Sequence, residues 1–240
     1  MRQKPIHPAL QSYLEGQVIL LDKPLHWTSF DTIRKIRRLT GVNKVGHAGT
    51  LDPLATGLLI ICTGKFTKRI NEFMAQRKVY TGTITIGAST PTYDLESDPE
   101  NVKDYSFVNE ELLYEKRQNF VGEIQQVPPI HSAIKQDGKP VYLAARKGAE
   151  VKLEPRPITI YSFELPNIVL PNIDFEVTCS TGTYIRSLAN DYGAALGTGG
   201  YLSKLCRTQI GDFRLEDAVS IEAFETKIIA LKSEWEEKNN

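Results

Sequence analysis

Apolar and polar positions alternate through "KVYTGTITIGA", which begins at Lys78, and this pattern predicts a strand. "GQVILLDKP", from Gly16, reads as an earlier strand. It is followed by a basic helix, "FDTIRKIRRLTG", with Ser29 placed to cap its start and Gly41 to close it. "IDFEVTCSTGTYIRSLANDYGAALG" reads as strand, tight turn and helix, and Ser220 stands ready to cap a terminal helix over about 220–238. The apolar run "PLATGLLIICTG" predicts another helix, since Pro53 suits a first helical position and leaves Asp52 at its mouth. Strands and helices alternate without a regular βαβ beat, so the fold class is α+β. No repeat, low-complexity stretch or Gly/Ser linker divides the chain, and a single domain over 1–240 is expected.

Composition narrows the choices. The chain has 240 residues, 41% of them hydrophobic and 24% charged, ordinary values for a globular protein with a real core. No apolar run reaches the roughly 20 residues of a membrane span, and the N-terminus has no signal-peptide pattern, which points to a cytoplasmic protein. Cys62, Cys179 and Cys206 are too scattered for a disulfide framework, and His7, His26, His47 and His131 form no ligand cluster. "TGKFT" lacks Walker spacing, and "GTGGY" does not complete a dinucleotide fingerprint. No cofactor and no metal are expected. Formal net charge is zero, yet residues 1–80 carry 13 Lys/Arg against 5 Asp/Glu, and the remainder is acidic. That asymmetry fits one polyanion-facing side as well as it fits two ordinary solvated faces.

The candidate chemistry lies in "KVGHAGTLDPLATGLL", Lys44 to Leu59. An N-cap is the plain reading of an Asp-Pro pair before a helix. Gly46 and Gly49, however, allow close backbone approach to a bulky ligand, and His47 sits between them on what is expected to be a loop tip. One aspartate without a second carboxylate nearby in sequence is not the pair of an ordinary glycosidase.

The same stretch closely resembles the catalytic motif of the TruB family of tRNA pseudouridine-55 synthases. The resemblance continues in "LLDKPLHWTSFDTIRKIRR", "KVYTGTITIGASTPTYDLESD", "QVPPIHSAIKQDGKPVYLAARKG" and "CSTGTYIRSLANDYGAALGTGGYLSKLCRTQIGDF", five blocks in the family's order. It implies a pseudouridine synthase fold with a central mixed, mainly antiparallel sheet flanked by helices. It also implies an enzyme that detaches a uracil of the tRNA T loop, turns it and rejoins it through carbon. Such an isomerisation needs no redox or group-carrying cofactor. A chaperone of the same fold that only opens and refolds the tRNA elbow is the alternative.

Carried over position by position, Asp52 resembles the catalytic aspartate. Tyr80 resembles the tyrosine that stacks on the flipped uracil, and Arg186 the arginine that pairs with the catalytic carboxylate. Tyr184 and Leu205 resemble pocket-lining residues, though on spacing alone either is equally a core residue. His47 resembles the histidine that fills the gap left by the flipped nucleotide. Lys23 matches the family's first block and joins the substrate-binding set. There His26 stands where relatives usually have Gly, so a different local turn is expected. Lys135, Lys139, Arg146 and Lys147 lie in a segment, about 126–156, that resembles a thumb over the T arm, where phosphate contacts supply affinity. An exposed loop would carry the same charges. The resemblance implies tRNA as partner, no obligate protein partner, a monomer, and no PUA domain after the terminal helix.

Overall fold

The computed structural model describes residues 6–130, 135–136, 139–140 and 153–239. Its strands are β1 Val18–Lys23, β2 Val45–His47, β3 Ala55–Thr63, β4 Lys78–Ile86, β5 Gly122–Gln126, β6 Lys135–Gln136, β7 Lys139–Pro140, β8 Arg156–Val169, β9 Asn172–Cys179, β10 Gly200–Ile210 and β11 Phe213–Arg214. The α-helices are α1 Gln11–Glu15, α2 Ser29–Thr40, α3 Ile70–Met74, α4 Glu110–Arg117, α5 Ile185–Ala195 and α6 Ile221–Asn239. Residues up to Val79 and from Cys206 onward form one compact unit, and Tyr80–Leu205 form a second. The chain passes between the units within β4 and within β10.

In the first unit β3 lies between β1 and β10, with β2 also pairing β3 and β11 pairing β10. β1 and β2 both run antiparallel to β3, in registers Leu21↔Leu59 and His47↔Ile61. β3 is the run "ATGLLIICT" that the sequence predicts as helix, and the correction has a plain physical cause. Leu58, Ile60 and Cys62 pack in a cluster with Phe73 and Ile210, while Leu59 and Ile61 pack in another with Leu21, Ile33 and Ile36. A strand buried on both faces loses its polar alternation, and its apolar run then looks like that of a buried helix.

The terminal helix forms as expected. Ser220 Oγ accepts a hydrogen bond from Ala223 N at 3.1 Å, and Ile221, Phe224 and Ile228 enter the cluster on the Leu59 face. Helix α2 also forms, but its cap is Thr28 rather than Ser29. Thr28 Oγ1 accepts from Asp31 N while Asp31 Oδ2 accepts from Thr28 N, both at 3.0 Å, a reciprocal capping box. Gly41 closes the helix in the left-handed region.

In the second unit the strand order is β10-β4-β9-β8-β5, and β5–β8 and β8–β9 are antiparallel. Phe163 sets its ring edge-to-face with Phe175 and with Tyr192 of α5, which fastens the helix to β8 and β9. Tyr192 also donates its hydroxyl to Leu113 O at 2.8 Å, so α4 is held against α5. Mixed strands with flanking helices give the α+β class expected from the sequence. Among the described residues no helix is long and apolar enough to cross a membrane.

Candidate active site

Asp52 sits half-buried in the loop between β2 and β3, and backbone bonds fix that loop on both sides of it. Before it, Ser29 Oγ donates to Leu51 O at 3.1 Å and accepts from Leu51 N at 2.9 Å. After it, Pro53 O accepts from His26 N at 2.8 Å, and Ala55 N closes a turn onto Asp52 O at 3.1 Å. Arg207 of β10, 1% exposed, donates Nη2 to Gly49 O at 3.1 Å and Nε to Leu58 O at 2.8 Å. Asp52 therefore heads a tight turn into a strand and caps no helix. Its carboxylate is carried on backbone that does not need to be ordered when a substrate arrives, the kind of support a reacting group requires.

Beside it lies Lys23, the last residue of β1, with no surface exposed. Its Nζ donates to Pro24 O at 2.9 Å and Trp27 O at 2.6 Å. Burial lowers its pKa from the ordinary value to about 8; the Asp52 carboxylate opposes that shift and the Arg207 cation adds to it. A folded-state pKa below the unfolded one means the cost of burying the cation is fully present below about pH 8. That cost is relieved as pH rises toward the unfolded value of 10.5. Urea denaturation of the wild type beside Lys23→Met should therefore show the wild type gaining stability relative to the variant between pH 8 and 10. A constant difference across that range would contradict the assignment.

His47 is not on a loop tip but ends β2, half-buried opposite Ile61. Burial lowers its pKa, and the Arg207 charge lowers it further, so the ring is neutral at pH 7. Gly46 is explained by packing: a Cβ there would meet Ile70 Cδ1 at 2.6 Å, so the missing side chain makes room for the protein's own core. Gly49 adopts φ +91° next to the Arg207 guanidinium. His26 holds φ +65°, so the turn is one that glycine favours, and His26 supplies it at a cost in backbone strain.

Tyr80, Tyr184, Arg186 and Leu205 belong to the second unit. Tyr80 is buried in β4, and Leu205 lies half-buried in β10. Tyr184 is the N-cap residue of α5; its N donates to Gln126 Oε1 at 2.8 Å and its carbonyl accepts from Gln126 Nε2 at 3.0 Å. Ser187 Oγ donates to Val127 O at 2.8 Å, so the end of β5 is tied twice to the start of α5. Arg186 is buried, with Nε 3.7 Å from Asp94 Oδ2 and Nη1 donating to Thr92 O at 3.3 Å. Sequence reasoning passed over Asp94, Gln126 and Arg207. Arg207 had a visible signal, a charged residue amid the apolar positions of "LCRTQI".

Lys135 and Lys139 fall on β6 and β7, a two-stranded ladder, and only their backbone is described. Arg146 and Lys147 lie outside the described residues. Among the described residues no group of three or more His, Cys, Asp or Glu could hold a metal ion.

Residues 37–185 match the family model for the N-terminal domain of TruB family pseudouridylate synthases, and residues 186–239 match the model for the C-terminal domain of tRNA pseudouridylate synthase B. The chain is 52% identical over 226 residues to tRNA pseudouridine synthase B of Flavobacterium johnsoniae, an alignment covering 91% of this chain and 98% of that one. It is 46% identical over 239 residues to the protein of the same name from Bacteroides thetaiotaomicron, covering 95% and 100%. Among solved structures, a chain in the crystal structure of a Cbf5-Nop10-Gar1 complex superposes with a TM-score of 0.71 at 29% identity. That match covers 91% of this chain, which spans little more than half, 56%, of the other.

Proposed function

Since the chain belongs to the TruB family of pseudouridylate synthases, we propose that it isomerises uridine 55 in the T loop of tRNA to pseudouridine, with Asp52 as the catalytic carboxylate. The reaction breaks the bond from C1′ to N1 of uracil and forms one from C1′ to C5. The proton on C5 leaves to solvent and N1 takes one up, so nothing is oxidised or reduced. Asp52 acts at the sugar, as nucleophile at C1′ or as base at C2′, and either role requires a charged carboxylate held in place. The observation that carries this reading is the loop itself, with Asp52 clamped between Leu51 and Pro53 and the buried Lys23 cation beside it.

Tyr80 stacks on the flipped uracil, Tyr184 and Leu205 line its pocket, and Arg186 orients the carboxylate. A neutral His47 fits the gap in the loop stack better than a cation would, because its ring enters an apolar stack without the cost of desolvating a charge. Lys135, Lys139, Arg146 and Lys147 contact RNA phosphates. No cofactor takes part, and the enzyme works in the cytosol as a monomer. Mapping pseudouridine by carbodiimide adducts on a treated transcript should give one T-loop stop, the one diagnostic of an adduct at position 55, immediately 3′ of that base. A transcript with cytidine at 55 should give none, and a T-loop stop elsewhere would refute the assignment of the position.

A further inference from the structure

The turn before α2 and the exposed side of that helix enclose a groove of about 570 Å³, lined by His26, Trp27, Asp31, Arg34, Lys35 and Arg38. Its volume is that of a small-ligand site, about 300–1,000 Å³. Three of its residues are permanent cations. The one carboxylate, Asp31, is already held by Thr28 and by Arg34 Nη2 at 2.9 Å. Lys35 is engaged by Glu225 of α6 at 2.5 Å. Arg38 is exposed and makes no hydrogen bond or ion pair among the described residues, while Arg34 is 66% exposed over the Phe30 ring. Two guanidinium groups are thus left facing solvent beside a groove walled by an indole and an imidazole.

The groove shares its backbone with the Asp52 loop. His26 N, on the groove's rim, holds Pro53 O, and Ser29, in the first turn of α2, holds Leu51 from both its donor and its acceptor. We propose that this groove is a second RNA contact, where Arg34 and Arg38 grip backbone phosphates of the same tRNA whose uridine Asp52 attacks. The inference rests on the tRNA reading above. Guanidinium groups suit phosphate because their planar donors pair with two oxygens at once. RNA held here sits against the segment that fixes the catalytic loop, so the contact sets the register of the substrate as well as adding affinity.

The test is tRNA binding by the Arg34→Gln/Arg38→Gln double variant as a function of salt, beside the wild type and a matched double variant, Lys227→Gln/Lys238→Gln, on α6. All four positions are exposed, and thermal melts check that both variants fold. Each lost phosphate contact should flatten the slope of log K against log salt by roughly 0.7–0.9. The groove variant should therefore lose about 1.5 from the slope and bind roughly tenfold more weakly at low salt, while the α6 variant keeps the wild-type slope. A groove variant with wild-type affinity and slope overturns the proposal, and that is also the outcome expected if the groove serves an acidic protein partner. Equal losses in both variants overturn it too, since the effect is then one of total charge. Failure of the wild type to modify tRNA would show separately in its turnover and would count against the tRNA reading itself.

Discussion

Asp52→Asn should abolish pseudouridine formation, with a single-turnover rate down by ~10³-fold or more, while tRNA binding is retained. The substitution keeps the size of the side chain and removes its reactive charge. The bonds that hold the loop run through the backbone of Gly49, Leu51 and Pro53 and through Ser29 and Arg207, so they do not depend on the carboxylate. A capping role, which Asp-Pro suggests in the sequence, would predict a modest loss of stability and little loss of rate. The residues after Asp52 form a turn and then β3, so there is no helix there to cap. Rapid-quench measurement at saturating enzyme decides the matter, and a rate within tenfold of wild type would remove Asp52 from the chemistry.

Gly57→Ala should be the most damaging small substitution near the site, costing ~3–5 kcal/mol and lowering the melting temperature by roughly 10 °C. Gly57 lies in β3 at φ +101°, a backbone shape that L side chains rarely adopt. A Cβ there would lie 2.4 Å from Arg207 O and 2.8 Å from both Arg207 N and Cys206 Sγ. Two of these atoms, including the nearest, are backbone of β10 and cannot swing aside as a side chain can, so β3 and β10 would have to separate. That movement also displaces Arg207, whose guanidinium fixes Gly49 and Leu58, so activity should fall along with stability. Thermal denaturation checks it directly, and a melting temperature within about 2 °C of wild type would show that the strands yield more easily than the geometry implies.

The sequence was most legible where one face of an element meets water. β4 is read from its alternation and α6 from Ser220, and α2 is read as a helix closed by Gly41, although its cap falls on Thr28, one residue before the Ser29 that the sequence suggests. It misled at β3, where burial on both faces erased the polar positions that identify a strand. The turn at His26 was hidden because a histidine holds the left-handed geometry that glycine would have signalled. For the candidate site, the motif placed Asp52, but its electrostatic setting was out of reach. Lys23 and Asp52 are 29 positions apart in the chain and Arg207 is 155 from Asp52, so only the fold reveals that a buried lysine and a buried arginine act on this loop. Gly46 was read as ligand-facing because a sequence does not show that Ile70 fills its space.

The most direct test of the central claim uses an unmodified tRNA transcript carrying tritium at uracil C5, incubated with the wild type and with Asp52→Ala. Rejoining through C5 must expel that tritium, and hydrolysis of the glycosidic bond alone leaves it on the base. Release of one equivalent per tRNA by the wild type, and none by the variant, is the expected result. Equal release by both proteins, or none by the wild type while tRNA remains bound, would contradict the assignment of Asp52 as the carboxylate of a uridine isomerase.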